Sequence, residues 1–135
     1  MSTKPVEAGS LKEGGFVVID GEPCKIVEVE RSKPGKHGSA KARIVGIGIF
    51  DNVKRTLIVP TSSRVETPVI RKFTAQIISV TGDMVQLMSM EDYKTFEVEM
   101  PQEEELKSKI EPGLEAEVWE IMGRYRIQRI RGSSG

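Results

Sequence analysis

Thr95-Phe96-Glu97-Val98-Glu99-Met100, followed by Pro101-Gln102-Glu103-Glu104-Glu105-Leu106-Lys107-Ser108-Lys109-Ile110, is where two periodicities meet. The first six residues alternate polar and apolar side chains, the period of a half-buried strand. Pro101 has no backbone N–H to give a ladder, so the strand stops there. Behind it acids fill a first turn, and Lys107 and Lys109 fall near the last. That order complements a helix dipole and predicts a short helix over 102–110. Glu111-Pro112-Gly113 ends it.

Working outward, strand signals dominate on both sides. Residues 73–80 and 84–90 flank Thr81-Gly82-Asp83 as a hairpin, and 114–122 and 125–130 flank Gly123. Five strands with one helix between the third and fourth is the layout of an OB-fold. Upstream, 16–19 and 24–30 flank the turn cluster Asp20-Gly21-Glu22-Pro23. In the second of these runs Ile26 is out of phase with Val27 and Val29, so only part of it alternates. Residues 42–50 and 55–59 follow, the last stopped by Pro60. The expected architecture is therefore mainly β, two small barrels with one short helix, divided into residues 1–72 and 73–135. No period relates the two halves as internal repeats.

The chain of 135 residues has 20 Lys+Arg against 20 Asp+Glu, a net charge of zero. That excludes a polycation or an acidic tail. Divided at residue 72, however, the first part holds 13 Lys+Arg and 8 Asp+Glu, and the second 7 and 12. The halves are thus +5 and −5, which points to nucleic acid at the first half or to attraction between the two. One cysteine, Cys24, excludes an internal disulfide framework, and His37 alone cannot complete a zinc site with it. A chain without such staples fits a reducing cytosol. The longest apolar run, 44–50, is far below the roughly 20 residues of a membrane span, so a soluble, cytoplasmic protein is expected.

The positive charge concentrates in one place. From Arg31 to Arg43 stand five basic residues, Arg31, Lys33, Lys36, Lys41 and Arg43, with His37 and no acid. Gly35 and Gly38 bracket Lys36-His37, so the backbone is free to turn sharply and carry Lys36 to the tip of a loop joining two strands. An ammonium there is a mobile point charge able to enter a phosphate-lined groove. On composition alone, a solvated connecting loop is the simpler reading.

Enzymatic readings fail on spacing. A P-loop needs Gly where Glu30 stands and Ser or Thr where His37 stands. Cys24 enters an apolar strand as an inert thiol rather than as a nucleophile paired with His37. Glu103, Glu104 and Glu105 are consecutive on the predicted helix and point apart, so they are no acid/base pair. Trp119, in an apolar strand, reads as core. No catalytic residues are expected.

Ser32-Lys33-Pro34-Gly35-Lys36-His37-Gly38-Ser39-Ala40-Lys41-Ala42-Arg43 closely resembles the signature segment of the translation initiation factor 5A family in its archaeal form. The resemblance extends through Asp20-Gly21-Glu22-Pro23-Cys24, Phe73-Thr74-Ala75-Gln76-Ile77 and Asp92-Tyr93-Lys94-Thr95 over essentially the whole chain. A match this long and residue-specific overrides the simpler reading of the loop. It implies an N-terminal SH3-like barrel followed by a C-terminal OB-fold. It further implies that Lys36 receives a spermidine-derived aminobutyl group from deoxyhypusine synthase, giving deoxyhypusine or hypusine, with no other cofactor and no metal. Gly35, His37 and Gly38 would shape the tip, and Arg31, Lys33, Lys41 and Arg43 would contact RNA. The implied partners are the ribosome, its rRNA and the peptidyl-tRNA. The implied role, similar to that of bacterial elongation factor P, is to promote peptide-bond formation, including at proline runs, without being an enzyme. Two residues depart from eukaryotic members: Pro34 stands for a common Thr, and Ser39 for a second His.

Two other readings stay open on residues alone. One is a general single-stranded RNA-binding module using the OB-fold face, against which the −5 balance counts. The other is an oligomeric scaffold built by edge-strand pairing.

Overall fold

The computed structural model describes residues 2–33 and 40–131, which divide by their contacts into two compact units meeting between Val69 and Ile70. In the first unit, β2 (Phe16–Ile19), β3 (Glu22–Ser32), β4 (Lys41–Gly48) and β5 (Lys54–Pro60) form an antiparallel meander in that order. A separate ribbon pairs β1 (Thr3–Glu7) with β6 (Arg64–Pro68), with Val6 opposite Val65. The Thr67 hydroxyl donates to the Phe16 carbonyl at 2.8 Å and ties the ribbon to β2. A 3₁₀ turn, Ala8–Ser10, links β1 to the meander. Ala8, Leu11, Val17, Ile19, Cys24, Ile26, Ala42 and Ile44 fill the core.

The interrupted alternation at Ile26 has a structural cause. The β3–β4 register runs Ile26↔Gly46 and then Glu28↔Val45, leaving Val27 as the extra residue of a β-bulge. Val27 is accordingly 47% exposed between buried Ile26 and the half-buried residues beyond it. Cys24 is fully buried and free, and burial pushes its thiol pKa up, the inert role expected of it.

The second unit is a five-stranded antiparallel sheet in the order β11-β10-β7-β8-β9. Its strands are β7 (Ile70–Thr81), β8 (Met84–Ser89), β9 (Thr95–Glu99), β10 (Glu115–Ile121) and β11 (Arg124–Ile130). Rings from three strands close it into a barrel. Phe96 of β9 lies 4.6 Å from Tyr125 of β11, and Phe73 of β7 lies 5.6 and 6.1 Å from these two. Together the two units are the small barrels anticipated, with the helix between β9 and β10.

Several sequence expectations are corrected. β1 and β6 were not anticipated: each is short and carries proline, and their apolar residues Val6 and Val65 find each other and the core only in the folded chain. The helix shrinks from nine residues to α1 (Glu104–Lys107). Glu103 gives no side-chain cap, and Lys109 and Ile110 close i→i+3 bonds to Leu106 and Lys107 instead of continuing the helix. Leu106 and Ile110 nevertheless reach the core. Trp119 is not core. Val118 takes the inward place, and the indole sits half-buried on the opposite face, donating to Glu117 Oε1 at 2.9 Å with Lys72 Nζ 4.6 Å above the ring. Arg131, read as the start of a flexible tail, donates its N–H to the Glu115 carbonyl at 2.8 Å.

Two stability predictions follow from the first barrel. A Cβ on Gly46 would stand 2.7 Å from Cys24 Cβ, too close for real side chains. Gly46→Ala is expected to cost about 1–3 kcal/mol in urea unfolding, with Cys24→Gly recovering part of it. Purely additive effects of the two changes would reject that contact as the cause. Asp51 accepts from Arg55 at 3.1 and 2.8 Å and from the Val53 N–H at 3.1 Å. The Arg55 hydrogen bonds foremost lower its pKa from 3.8 to about 2. A depressed carboxyl stabilises the fold above its unfolded pKa and ceases to do so as pH falls through the folded one. Asp51→Asn should therefore flatten the stability curve between pH 3.8 and about 2, with little change in that dependence at neutral pH.

Candidate loop-presenting hairpin

β3 and β4 do not stop where the barrel core stops. Their ladder runs on through Glu30↔Arg43, Arg31↔Ala42 and Ser32↔Lys41, and burial fades from full at Ala42 to exposed at Arg31, Ser32 and Lys41. Backbone hydrogen bonding thus carries the chain from the dry core into solvent as a two-stranded arm whose last pair is Ser32↔Lys41. Lys36, Gly35, His37 and Gly38, read from sequence as the modified residue and its tip, lie outside the described residues.

The four expected RNA-contact residues have different surroundings. Lys33 and Lys41 are exposed, one at each foot of the loop. Arg43, with its side chain 39% exposed, lies 3.3 Å from Glu28 Oε2 and 3.7 Å from Glu30 Oε1. Its charge is shared with two carboxylates of the neighbouring strand. Arg31 reaches back toward the barrel, where its Nη2 donates to the carbonyls of Gly9 and Leu11, each at 2.9 Å.

Residues that the sequence did not single out complete the base of the arm. The Gly9 N–H donates to the Thr61 carbonyl at 2.9 Å, and the Thr61 N–H donates to the Ala40 carbonyl at 2.9 Å. The Ala8 N–H donates to Ser63 at 2.8 Å, seating the 3₁₀ turn on the β5–β6 turn. A Cβ on Gly9 would press to 3.2 Å from Thr61 Cβ and carbonyl oxygen, so glycine permits this close approach. The only local hint was the glycine in Glu7-Ala8-Gly9-Ser10, since the bonds join segments about 20 to 50 residues apart.

Charge follows the same geometry. At the observed division, residues 1–69 hold 11 Lys+Arg and 8 Asp+Glu, and 70–135 hold 9 and 12. The units are +3 and −3 rather than ±5, because Arg71 and Lys72 belong to β7. Residues 31–43 contribute 5 basic groups and no acid, so the rest of the first unit is −2. All of its positive excess stands on the hairpin. In the second unit, Arg126 meets Glu103 at 3.0 Å, and Arg129 meets Glu117 at 2.7 Å. Glu117 is 8% exposed, and hydrogen bonds from Trp119 and then Arg129 hold its carboxyl below the ordinary range. No group of three or more His, Cys, Asp or Glu that could hold a metal gathers among the described residues.

Comparison with known proteins places this geometry in a family. Residues 1–63 match the family model "Translation initiation factor 5A-like, N-terminal". Residues 69–131 match "Eukaryotic elongation factor 5A hypusine, DNA-binding OB fold". The chain is 67% identical over 131 residues to translation initiation factor 5A of Thermofilum pendens, covering 97% of this chain and 99% of that protein. It is 64% identical to the factor of Pyrobaculum aerophilum, covering 97% and 96%. Among solved structures, the Methanococcus jannaschii protein described as eukaryotic translation initiation factor 5A aligns with a TM-score of 0.88 at 50% identity, covering 96% of each chain. A family member from Naegleria fowleri aligns with a TM-score of 0.79 at 37% identity, covering 97% and 99%. The two barrels and the sequence that builds them agree on one assignment, a translation factor and not an enzyme: the chain belongs to the translation initiation factor 5A family.

Proposed function

We propose that this factor acts on the ribosome through its β3–β4 arm, with Lys36 carrying an aminobutyl group from spermidine as deoxyhypusine or hypusine. The observation that carries the reading is the arm itself: a ladder continued past the core, with exposed Lys33 and Lys41 at its feet and no acid from Arg31 to Arg43. The word hypusine in the description of the family model that residues 69–131 match supports the modification.

The physical sense is direct. Transfer of the aminobutyl group of spermidine to the deprotonated ε-amine of Lys36, with 1,3-diaminopropane as the group left behind, lengthens the side chain and gives it a second amine. A longer, doubly charged side chain reaches further between phosphates than lysine does. Against peptidyl-tRNA on the ribosome, such a group would steady the acceptor end in a reactive geometry, lowering the entropy cost of peptide-bond formation. The benefit is greatest where proline makes the attacking or donating residue hard to place. Deoxyhypusine synthase is the modifying partner in this reading, and the cytoplasm is where it meets the ribosome. The −3 balance of the second unit argues against the rival reading of that barrel as a general single-strand RNA binder.

Peptide mass spectrometry across Lys36 in protein from its native host should show the mass of one aminobutyl group, hydroxylated or not; an unmodified Lys36 would reject the proposal. Separately, Lys33→Met/Lys41→Met should weaken ribosome binding and lower its salt slope by about 2 if each lysine meets one phosphate. An unchanged slope would place the contacts elsewhere.

A further inference from the structure

The hydrogen bonds at the base of the arm form a continuous path from one foot of the loop to the other. It leaves β3 at Arg31, passes to the carbonyls of Gly9 and Leu11, crosses from the Gly9 N–H to Thr61, and returns from the Thr61 N–H to Ala40 just ahead of β4. We infer that Arg31 is a positioning residue for the lysine-bearing loop, holding its two feet in one geometry through Gly9 and Thr61 rather than serving as a phosphate contact. The consequence for Lys36 rests on the functional reading above, but the geometry of the path does not.

Three observations support the assignment. Both bonds from Arg31 leave the same nitrogen, Nη2, at 2.9 Å, so both of its hydrogens are engaged by carbonyls. A two-pronged grip on phosphate through that nitrogen would have to break them. Glycine at position 9 lets the 3₁₀ turn approach Thr61 without strain, since a Cβ would stand 3.2 Å from both its side chain and its carbonyl oxygen. The last ladder pair, Ser32↔Lys41, fixes the feet only from within the arm, and the Arg31–Thr61–Ala40 path fixes them to the barrel.

A partner that needs one loop geometry binds with an apparent constant weakened by the fraction of molecules lacking it. Loosening the feet therefore raises KM for aminobutyl transfer to Lys36 and leaves kcat unchanged, because the bound geometry and its chemistry are the same. A residue that only supported global stability would speed exchange at core amides as well as at Gly9 and Thr61, and would leave KM unchanged while the chain stays folded.

The test uses the full chain carrying Arg31→Met or Arg31→Lys, with Lys33→Met as control. Amide hydrogen exchange is followed at Gly9 and Thr61, and steady-state transfer is followed with deoxyhypusine synthase and spermidine. Arg31→Met is expected to speed exchange at both amides about tenfold, the loss of charge-assisted bonds, with core amides such as Ile44 unchanged. It should raise KM several-fold at constant kcat, with Arg31→Lys recovering part of the loss and Lys33→Met leaving exchange alone. If Arg31→Met does not fold, Gly9→Ala strains the same path without touching Arg31 and must give the same KM rise. Unchanged exchange, or unchanged KM together with a ribosome-binding salt slope lowered by about 1, would overturn the inference and make Arg31 a phosphate contact. Absence of transfer to the wild-type chain would instead refute the reading of Lys36, while the exchange data would still decide the role of Arg31.

Discussion

The ladder between β3 and β4 is the feature on which the first unit and its loop depend. It begins at Cys24↔Gly48 inside the barrel and ends at Ser32↔Lys41 in solvent, interrupted once by the bulge at Val27. A bulge adds twist and re-aims the strand beyond it. Up to Ile26 the pair is held by apolar packing on Gly46 and the core. Beyond it, backbone bonds persist while burial fades, which is the condition for an arm rather than a wall of the barrel. Two-stranded ribbons are weak when isolated. The bonds from Arg31 and Thr61 provide this ribbon with anchorage that its own apolar contacts do not.

Electrostatics adds selectivity to this scaffold. A neutral molecule would attract RNA weakly if its charges were evenly mixed, since exposed charges are screened within about 10 Å at ordinary salt. Here the positive excess of the first unit stands wholly on residues 31–43. The second unit spends its arginines on its own carboxylates, at Glu103, Glu117, Glu120 and Glu91. An exposed pair such as Arg71–Glu91 contributes only about 0–1 kcal/mol, so its main effect is on where the field points. Among the described basic residues of the arm, Arg43 is the one drawn back by carboxylates, those of Glu28 and Glu30.

Much of the fold was legible in the sequence because its signals are local. The alternation of residues 95–100 became β9, and Asp20-Gly21 and Gly82-Asp83 became turns between β2 and β3 and between β7 and β8. Even the dephased Ile26 was legible as an irregularity that proved to be a bulge. What escaped was non-local. β1 and β6 are strands only because Val6 meets Val65, and neither has enough alternation to declare itself alone. Trp119 looked like core because its apolarity was visible and its partners Glu117 and Lys72 were not. At the site, the charge run and the glycines around Lys36 were plain in the sequence. The anchoring role of Arg31 was not, because no spacing rule links position 31 to the carbonyls of Gly9 and Leu11.

The account stands on the claim that a clamped, basic arm delivers a lengthened amine to the peptidyl-transfer reaction. The most direct measurement is the single-turnover rate of peptide-bond formation at a proline run, with this factor in modified and unmodified forms at saturating concentration on matched ribosomes. The account predicts that the modified factor accelerates the step while the unmodified one binds and accelerates it far less. Equal acceleration by both forms would contradict it.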